Sequence, residues 1–308
     1  MSNYLGIDTS NYTTSAALYS LEHSVRHSKR LLPVKEGQLG LRQSDAVFHH
    51  VQQLPEILEP LLGGPLKAIG VSTRPRSVEG SYMPCFTVGF GTAKVLSNAF
   101  GIPLHPCSHQ ENHIAAALYS ADRLEFLQKD FLAFHVSGGT TEAVLVQPDK
   151  EHLIRTRLVA SSLDLKGGQA VDRVGVMLGL PFPAGPQLEQ LALKSNAQFR
   201  IRPVLRGCDC SLSGIENQCK SMLEKGHSKE DIARFCLMSL LMALDAMCGC
   251  LQQEYQGLPV LFAGGVMSNS IIRQALTEKY GAAFASPEFS ADNAAGAAIL
   301  ASIKEGNR

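Results

Sequence analysis

The sequence of 308 residues has no excess of either charge, no amino-terminal targeting pattern and no long uninterrupted apolar run. Its 28 Lys and Arg residues balance 28 Asp and Glu residues, which argues against a strongly basic nucleic-acid-binding protein. No charged segment followed by an apolar one begins the chain, so we expect no signal peptide. The longest apolar run, residues 235–247, is interrupted by Ser239 and Asp245 and is not expected to cross a bilayer. These absences predict a cytoplasmic protein.

The eight cysteines include no C-x-x-C pair. In a cytoplasmic protein of this size we expect reduced, mostly buried thiols. Cys208 with Cys210, and Cys248 with Cys250, form two C-x-C pairs that could together offer four thiolates to zinc. Structural zinc sites favour wider spacing, so this alternative is the less favoured one.

Two histidines, His109 and His113, indicate a different metal site. Ser108 and Glu111 form the capping-box pattern S-x-x-E, which predicts that a helix begins at His109. On a helix, residues four apart project from one face, so the two imidazoles could share a metal ion. The spacing alone favours ordinary histidines, and the interpretation depends on the rest of the chain.

The chain contains an internal repeat. Residues 4–16 align without gaps with residues 131–143, and each copy reads as a strand, a turn of small residues and a second strand. A third strand and alternating helices and strands follow each copy. In the first copy we predict helices at 48–62 and 87–100 and a strand at 68–72. In the second copy we predict strands at 152–160, 259–263 and 282–285 and helices at 271–280 and 293–303. This order predicts two α/β lobes with mixed sheets that face each other across a cleft.

The turns of the repeat are suited to phosphate. Thr9-Ser10-Asn11 and Ser137-Gly138-Gly139-Thr140 offer hydroxyls and accessible backbone N–H groups. A plain β-hairpin also needs small residues, but two equivalent turns in a duplicated chain favour a nucleotide cleft. A third loop, Gly264-Gly265 leading to Asn269 at a helix start, would complete the adenosine side.

The order of these motifs resembles the actin, sugar-kinase and heat-shock-ATPase superfamily. Within that superfamily it resembles the TsaD family, the transferase subunit of tRNA threonylcarbamoyladenosine synthesis, once described as an O-sialoglycoprotein endopeptidase. The resemblance covers nearly the whole chain. The segments that carry it are 109–113 (HQENH), 136–141 (VSGGTT), 168–173 (GQAVDR), 178–186 (LGLPFPAGP), 210–214 (CSLSG), 263–269 (AGGVMSN) and 291–295 (ADNAA).

The resemblance implies roles for individual residues. His109, His113 and Asp292 would bind one iron or zinc ion, with His135 as a further ligand where some members have tyrosine. Asp292 would also suit a helix N-cap. The adenine nucleotide or acyl-adenylate would be held by His135, Val136, Ser137, Gly138, Gly139, Asp172, Gly185, Glu189 and Asn269. In the family, the donor is threonylcarbamoyl-adenylate and the acceptor is the exocyclic amine of an adenine beside the tRNA anticodon.

Two loops depart from the family pattern. The first reads Asp8-Thr9-Ser10-Asn11-Tyr12-Thr13-Thr14, so Tyr12-Thr13 replaces the family's Asp-Glu pair. In Arg74-Pro75-Arg76, arginine stands where the family's G-P-G loop has glycine, and Thr140 replaces a histidine. Asp8, Tyr12 and Glu79 remain as candidate catalytic residues. Either the family reaction survives with Tyr12 and Glu79 in substitute roles, or the chain is a divergent carbamoyltransferase with a non-tRNA acceptor, like the related domain of a hydrogenase-maturation protein.

We therefore predict an N-terminal lobe over residues 1–125 and a C-terminal lobe over 126–308 with a helical insertion at about 161–230. The predicted activity is metal-dependent transfer of a threonylcarbamoyl or carbamoyl group from an acyl-adenylate to an amine. An ATP-dependent small-molecule kinase of the same superfamily is the alternative from another class. A scaffolding subunit would lack the metal ligands, and a metallopeptidase would need H-E-x-x-H, whereas Gln110 follows His109.

The resemblance also implies a partner subunit, which docks on helices of the first lobe. The apolar positions within residues 51–58 and 88–100 could form such a surface, but we expect them to belong to the core.

Overall fold

The structure is a computed structural model that describes residues 3–10, 12–20, 22, 24–33 and 41–307. The chain divides into two compact units. Unit 1 comprises Met1–Leu127, Pro148–Arg155 and Glu288–Arg308, and unit 2 comprises Gln128–Gln147 and Thr156–Pro287. The predicted division after residue 125 lies close to the first boundary, but the carboxy-terminal segment from Glu288 groups with unit 1 rather than with the second lobe.

The elements alternate in the order predicted from the repeat. In chain order they are β1 (Asn3–Ser10), β2 (Thr13–Ser20), β3 (Val25–Leu31), α1 (Gln43–Leu58), β4 (Leu66–Arg74), α2 (Phe86–Phe100), β5 (Leu104–Ser108), α3 (His109–Ser120), β6 (Phe131–Val136), β7 (Thr141–Asp149), β8 (Leu153–Ser161), α4 (Gly167–Met177), α5 (Gly185–Ala192), β9 (Val204–Arg206), β10 (Asp209–Ser211), α6 (Ser213–Glu224), α7 (Lys229–Glu254), β11 (Val260–Ala263), α8 (Ser270–Tyr280), β12 (Ala283–Phe284), α9 (Pro287–Ser290) and α10 (Ala295–Lys304). The first predicted helix begins earlier than expected, at Gln43 instead of residue 48.

Unit 1 is built on a five-stranded sheet in the order β3-β2-β1-β4-β5. β1 pairs antiparallel with β2 and parallel with β4, so that Ile7 lies opposite Ala16 and Val71. The central strand β1 is buried along almost its whole length, which is why it reads as a continuous run of apolar and small residues. Since β1, β4 and β5 run parallel, their carboxyl ends meet at one edge of the sheet, where α3 begins.

Unit 2 repeats this topology. Its sheet has the order β12-β11-β6-β7-β8, so β6 takes the place of β1 and pairs antiparallel with β7 and parallel with β11. Phe134, Phe262 and Phe284 stack along its centre, with ring centroids 4.6 and 5.2 Å apart. The duplication predicted from residues 4–16 and 131–143 is therefore confirmed at the level of strand order and strand direction.

Helix α7 is the one helix in the described part of the chain that is long and apolar enough to cross a membrane. The sequence-based exclusion of such a segment was therefore too strong, since Ser239 and Asp245 do not lower the average enough. Half of the helix, including Leu240, Leu244 and Met247, is buried in the core of unit 2. That burial is the behaviour of a core helix in a globular unit.

The prediction that all cysteines are reduced is wrong for one pair. Cys208, in the turn between β9 and β10, forms a disulfide with Cys250 on α7, with Cα atoms 5.5 Å apart. The six other cysteines are free and buried, among them Cys210 and Cys248. The four thiols of the two C-x-C pairs therefore do not form a zinc site.

Helix α10 joins unit 1 because three glycines let it lie directly on the sheet and on α3. A Cβ atom at Gly6 would lie 2.1 Å from the carbonyl oxygen of Ala294, the residue before α10. A Cβ atom at Gly70 would lie 1.9 Å from the carbonyl oxygen of Ala297 in α10. A Cβ atom at Gly296 would lie 1.8 Å from the Asn112 carbonyl oxygen. These contacts bring the segment that carries Asp292 to the amino-terminal end of α3.

Candidate metal centre and nucleotide loops

The predicted capping box forms at the start of α3. Ser108 Oγ accepts a hydrogen bond from the Glu111 N–H at 3.1 Å, and Glu111 Oε2 accepts one from the Ser108 N–H at 2.6 Å. The helix therefore begins at His109, as predicted, and His113 lies one turn further on.

The two histidines and Asp292 form one cluster. His113 Nε2 lies 3.0 Å from His109 Nε2 and 3.2 Å from Asp292 Oδ1, and His109 Nε2 lies 3.7 Å from the same oxygen. Over residues 3–10, 12–20, 22, 24–33 and 41–307, this is the one group of three or more His, Cys, Asp or Glu residues with converging ligand atoms. Two imidazole nitrogens and one carboxylate are a donor set that suits zinc or iron(II).

Asp8 supports this cluster from the end of β1. Its buried carboxylate accepts hydrogen bonds from His109 Nδ1 at 2.8 Å, from Asn112 Nδ2 at 3.2 Å and from the Ser10 N–H at 3.0 Å. Because Asp8 accepts the proton on Nδ1, the other ring nitrogen of His109, Nε2, faces Asp292 and His113. Asp8 is therefore placed to orient a ligand rather than to react itself.

The charges of Asp8 and His109 stabilise each other. Burial alone would raise the pKa of Asp8, but the charge of His109 and the hydrogen bonds from His109 and Ser72 outweigh it and lower the pKa. Burial would lower the pKa of His109, and the charge of Asp8 with its hydrogen bond raises it to about 9. Burial would also raise the pKa of Asp292, yet the two histidines and Thr13 hold it well below its usual range. The cluster therefore keeps both carboxylates ionised at neutral pH.

Asp292 does not act as a helix N-cap, which was the alternative explanation for its position. Asn293 Oδ1 accepts the hydrogen bond from the Ala295 N–H at 3.0 Å. The Asp292 carboxylate instead accepts a hydrogen bond from Thr13 Oγ1 at 3.1 Å and faces His113. Thr13, which replaces the second residue of the family's Asp-Glu pair, thus holds the carboxylate of the cluster.

Sequence reasoning overlooked Asn112. Its side chain donates to Asp8 and to the Asn293 carbonyl oxygen at 2.6 Å, and it accepts from the Ala297 N–H at 2.8 Å. Asn112 therefore joins α3, β1 and the start of α10. Its signal in the sequence was its place beside His113 on the buried side of the helix, three residues after His109.

The other residues proposed for the metal and for catalysis lie elsewhere. His135 is on β6 of unit 2, opposite Glu142 and Ala263, and its role as a ligand stays a prediction. Tyr12 lies in the turn between β1 and β2 and is 43 % exposed, and Glu79 is exposed in the loop after β4. Asn11, in the first small-residue turn, lies outside the described residues.

The second small-residue turn, Ser137 to Thr140, is closed by a backbone hydrogen bond, and its two glycines are exposed to solvent. The Ser137 N–H donates to the Thr140 carbonyl oxygen at 2.7 Å, and a Cβ atom at Gly138 or Gly139 would meet no atom within 4 Å. Gly168, at the start of α4, approaches the turn so closely that a Cβ there would lie 2.6 Å from the Gly138 nitrogen. Such a turn exposes backbone N–H groups of the kind that bind phosphate.

The remaining predicted nucleotide residues also lie in unit 2, at or near the starts of α4, α5 and α8. Asp172 accepts a hydrogen bond from the Ala184 N–H at 2.8 Å, beside Gly185 at the start of α5. Glu189 accepts hydrogen bonds from the backbone and the hydroxyl of Ser270, and Asn269 caps α8 through the Ile272 N–H at 3.1 Å. Glycine is required at Gly264, which has a φ of 103° and lies against Val136.

The expectation that the apolar residues of α1 and α2 belong to the core is correct for only some of them. Leu54, Ile57 and Leu58 are buried, but Val51 is 57 % exposed and Val95 is 67 % exposed. Phe48, Phe90 and Phe100 are also exposed, and an apolar groove runs between the two helices. Val51, Leu54, Leu58, Leu62 and Val88 line this groove, so unit 1 presents an apolar surface between the two helices.

His50, on α1, supports the first turn of the repeat and makes the fold sensitive to acid. Its Nδ1 lies 2.8 Å from Thr14 Oγ1, and its ring is buried. Burial lowers the pKa of His50 to about 4, despite the Ser10 backbone and the Asp8 charge. Between pH 6.5 and 4, the unfolded chain binds a proton at this residue and the folded chain does not. We expect the free energy of unfolding to fall by up to about 3 kcal/mol over this range.

Urea denaturation of the wild type and of His50→Gln between pH 7.5 and 4 measures this effect. The variant should lose the part of the pH dependence that His50 causes, whereas His49→Gln on the same helix should keep it. An identical pH dependence in all three proteins would contradict this account.

Comparison with known proteins defines the class first. The protein HypF from T. kodakarensis aligns with 99 % of this chain and 48 % of its own, at 13 % identity and a TM-score of 0.61. A ROK-family glucokinase from Streptomyces griseus, in complex with glucose and AMPPNP, aligns over 97 % of this chain and 99 % of its own, at 13 % identity and a TM-score of 0.53. The chain thus has the duplicated α/β fold of the actin, sugar-kinase and heat-shock-ATPase superfamily.

The family follows from sequence. Residues 40–299 match the family model of TsaD, tRNA N6-adenosine threonylcarbamoyltransferase. An enzyme of this name from Bacillus subtilis is 30 % identical over 90 % of this chain and 81 % of its own, and one from Pelodictyon phaeoclathratiforme is 29 % identical over 98 % and 92 %. The chain therefore belongs to the TsaD family of acyltransferases, which act in tRNA threonylcarbamoyladenosine synthesis.

Proposed function

We propose that the chain transfers a threonylcarbamoyl group from an acyl-adenylate to the exocyclic amine of an adenine in tRNA, and that the transfer depends on one zinc or iron ion. The observation that supports this most directly is the convergence of His109, His113 and Asp292 at the edge of the unit 1 sheet. Asp8 and Thr13 hold two of these side chains in place, which is the arrangement of a metal site with supporting hydrogen bonds.

The residues of the cluster fit the proposed ion. When bound, the ion would supply Lewis acidity to a carbonyl oxygen of the acyl group. His135, in unit 2, is proposed as a further ligand. The open turn at Gly138 and Gly139 would bind the phosphate of the adenylate and of the AMP leaving group, because backbone N–H groups stabilise developing negative charge.

Asp172, Gly185, Glu189 and Asn269 would shape the rest of the nucleotide site. The contacts that Asp172 and Glu189 make within unit 2 fix the starts of α5 and α8. We propose that these residues act on the nucleotide through the position of those two helices as well as by direct contact.

A second acceptor is favoured by one observation. In this chain the position of the family's second acidic residue is Thr13, which donates a hydrogen bond to Asp292. Its hydroxyl cannot take a proton from an acceptor amine as a carboxylate could. A divergent carbamoyl-type transferase with a non-tRNA acceptor would keep the cluster and change this loop. A kinase would have no use for the cluster of His109, His113 and Asp292, and we place it behind both transferase activities.

We also propose that a partner subunit covers the exposed apolar surface of α1 and α2, and that the protein works in the cytoplasm, where tRNA is modified. Val51, Phe90 and Val95 would be buried in that interface. Such a subunit would remove the contiguous apolar surface from water.

The transfer reaction itself tests the proposal. The protein, loaded with zinc or iron, is supplied with threonylcarbamoyl-adenylate that carries ¹⁴C in the threonyl group, with and without unmodified tRNA. We expect label in tRNA for the wild type and for His152→Ala, a substitution at a histidine that is 40 % exposed in unit 1. We expect no label for His113→Ala. Release of AMP without label in tRNA would mean that water takes the acyl group and would overturn the tRNA acceptor, and absence of AMP release in every preparation would refute transferase activity.

A further prediction concerns Asp8. In Asp8→Asn the uncharged amide holds the His109 ring less firmly and no longer raises the basicity of its Nε2, so we expect the affinity for zinc to fall about 10- to 100-fold. Competition with a chromogenic chelator measures the affinity directly. Asp45→Asn on α1, at an exposed acidic position, should leave it unchanged. An unaltered zinc affinity in Asp8→Asn would show that the hydrogen bond does not orient the ligand.

A further inference from the structure

The last residue of β4, Arg74, and Arg76 in the loop that follows lie next to the start of α3. In the parallel register of β4 and β5, Arg74 lies opposite Ser108, the residue that caps α3. The next residue, Pro75, accepts a hydrogen bond through its carbonyl oxygen from the Gln110 N–H at 3.0 Å. Arg74 and Arg76 therefore flank a residue bonded to the first turn of α3, the turn that begins with His109.

This loop is held in one conformation. The Arg76 N–H donates to Ser81 Oγ at 3.0 Å, and Ser77 Oγ donates to Glu111 Oε1 at 2.6 Å. The other Glu111 oxygen accepts the capping hydrogen bond from Ser108. The arginines are thus attached to the same helix that presents the histidines, and their backbone positions are fixed before any ligand binds.

The guanidinium of Arg74 has unused donors. It is half-buried, and its Nη2 donates a long hydrogen bond to Ser77 Oγ at 3.5 Å. Its Nε is buried and has no hydrogen-bond partner within the described part of the chain. A buried donor on a permanent positive charge is costly to leave unpaired, so a ligand that accepts from it is favoured.

Two basic and two acidic side chains lie in and around this loop. Arg74 and Arg76 contribute two positive charges, and Glu111 offsets one of them through Ser77. Glu79 lies further along the loop and is exposed to solvent. The carboxylates of Asp292 and Asp8 would balance the charge of a divalent ion in the cluster. The arginines could therefore still bind an anion.

We propose that Arg74, assisted by Arg76, binds the carboxylate of a small acyl group, and that this contact selects a carboxylate-bearing carbamoyl donor. A threonylcarbamoyl group ends in the carboxylate of threonine, a planar anion that matches the guanidinium fork. A half-buried guanidinium suits this small end group. The phosphates of a nucleic-acid backbone are bound instead by exposed basic side chains. The identity of the ligand rests on the proposed function, but the binding site does not.

Binding of two matched probes tests the assignment without catalysis. N-carbamoyl-L-threonine has the carboxylate, and its primary amide lacks the charge. Calorimetric titration of metal-free protein in EDTA should show that the wild type binds the carboxylate probe about 10- to 100-fold more tightly than the amide. Arg74→Gln should remove this preference and leave the amide affinity unchanged. Arg76→Gln should reduce the preference for the carboxylate probe. Arg123→Gln, at an exposed arginine, should leave that preference unchanged.

The outcomes separate the possibilities. Arg74→Lys keeps the charge without the fork and provides a folded comparison if Arg74→Gln is unstable, which thermal unfolding would show. No preference in the wild type, or a preference independent of Arg74, overturns the proposal. Tighter binding of inorganic phosphate that depends on Arg74 overturns the carboxylate assignment in favour of a phosphate ligand. An Arg74-dependent preference in a protein that releases no AMP in the transfer assay would retain this site and refute the proposed transferase.

Discussion

Replacement of His113 by alanine is expected to lower the affinity for zinc or iron(II) by about 100-fold or more and to abolish the transfer reaction. His113 Nε2 lies within 3.2 Å of both His109 Nε2 and Asp292 Oδ1, so it stands at the centre of the donor set. Without it, two donors remain in unit 1, too few for the closed or nearly closed coordination that zinc adopts in proteins. Metal content after dialysis and chelator competition measure the change.

Matched substitutions make this result specific. His152→Ala removes an exposed imidazole from unit 1 and should leave both metal content and activity as in the wild type. His135→Ala tests the fourth ligand, because a loss of affinity close to that of His113→Ala would assign it to the ion. If His113→Ala binds one equivalent of metal as tightly as the wild type, the cluster is not the metal site.

Replacement of Gly296 by alanine is expected to cost about 3 kcal/mol of stability and to weaken metal binding at the same time. The added Cβ would lie 1.8 Å from the Asn112 carbonyl oxygen and 2.9 Å from the Ala116 nitrogen, both backbone atoms of α3. Because no side chain can rotate away, the helices must separate. A shift of α3 displaces His109 and His113 relative to Asp292, so one methyl group changes two measurable properties.

The same substitution elsewhere provides the control. Gly91 lies within α2, and a Cβ there would meet no atom within 4 Å. Gly91→Ala should therefore stabilise the protein by roughly 0.5–1 kcal/mol, since alanine loses less backbone entropy in a helix. Urea denaturation compares the two variants directly. Equal effects of Gly296→Ala and Gly91→Ala would mean that the two helices can part without cost.

Local patterns in the sequence were enough to predict the elements and one half of the candidate metal site. The capping box fixed the start of α3, and the repeated strand–turn–strand segments predicted the shared topology of the two units. Both signals depend on neighbouring residues or on similarity within the chain. The resemblance to the family added Asp292, which no local pattern connects to His109.

The contacts that complete the site join residues far apart in sequence. Asp8 and His109 are separated by 101 positions, and Thr13 and Asp292 by 279. Their contact depends on the order of parallel strands and on the place where α10 packs, neither of which follows from periodicity. For the same reason Thr13 looked like a lost acidic group, whereas in the fold it donates to Asp292. The disulfide between Cys208 and Cys250 likewise depends on how the β9–β10 turn meets α7.

The late position of α10 in the chain also governs how unit 1 can be completed during synthesis. The glycine-lined face of β1 and β4, the buried face of α3 and the partners of Asn112 all await a segment that is synthesised after unit 2. Until then the nascent unit exposes Ala17, Ala68 and Ala116, which later pack against α10. Unit 2, whose residues are finished by Pro287, can fold earlier. The candidate metal site is therefore assembled late, when Asp292 joins two histidines made much earlier.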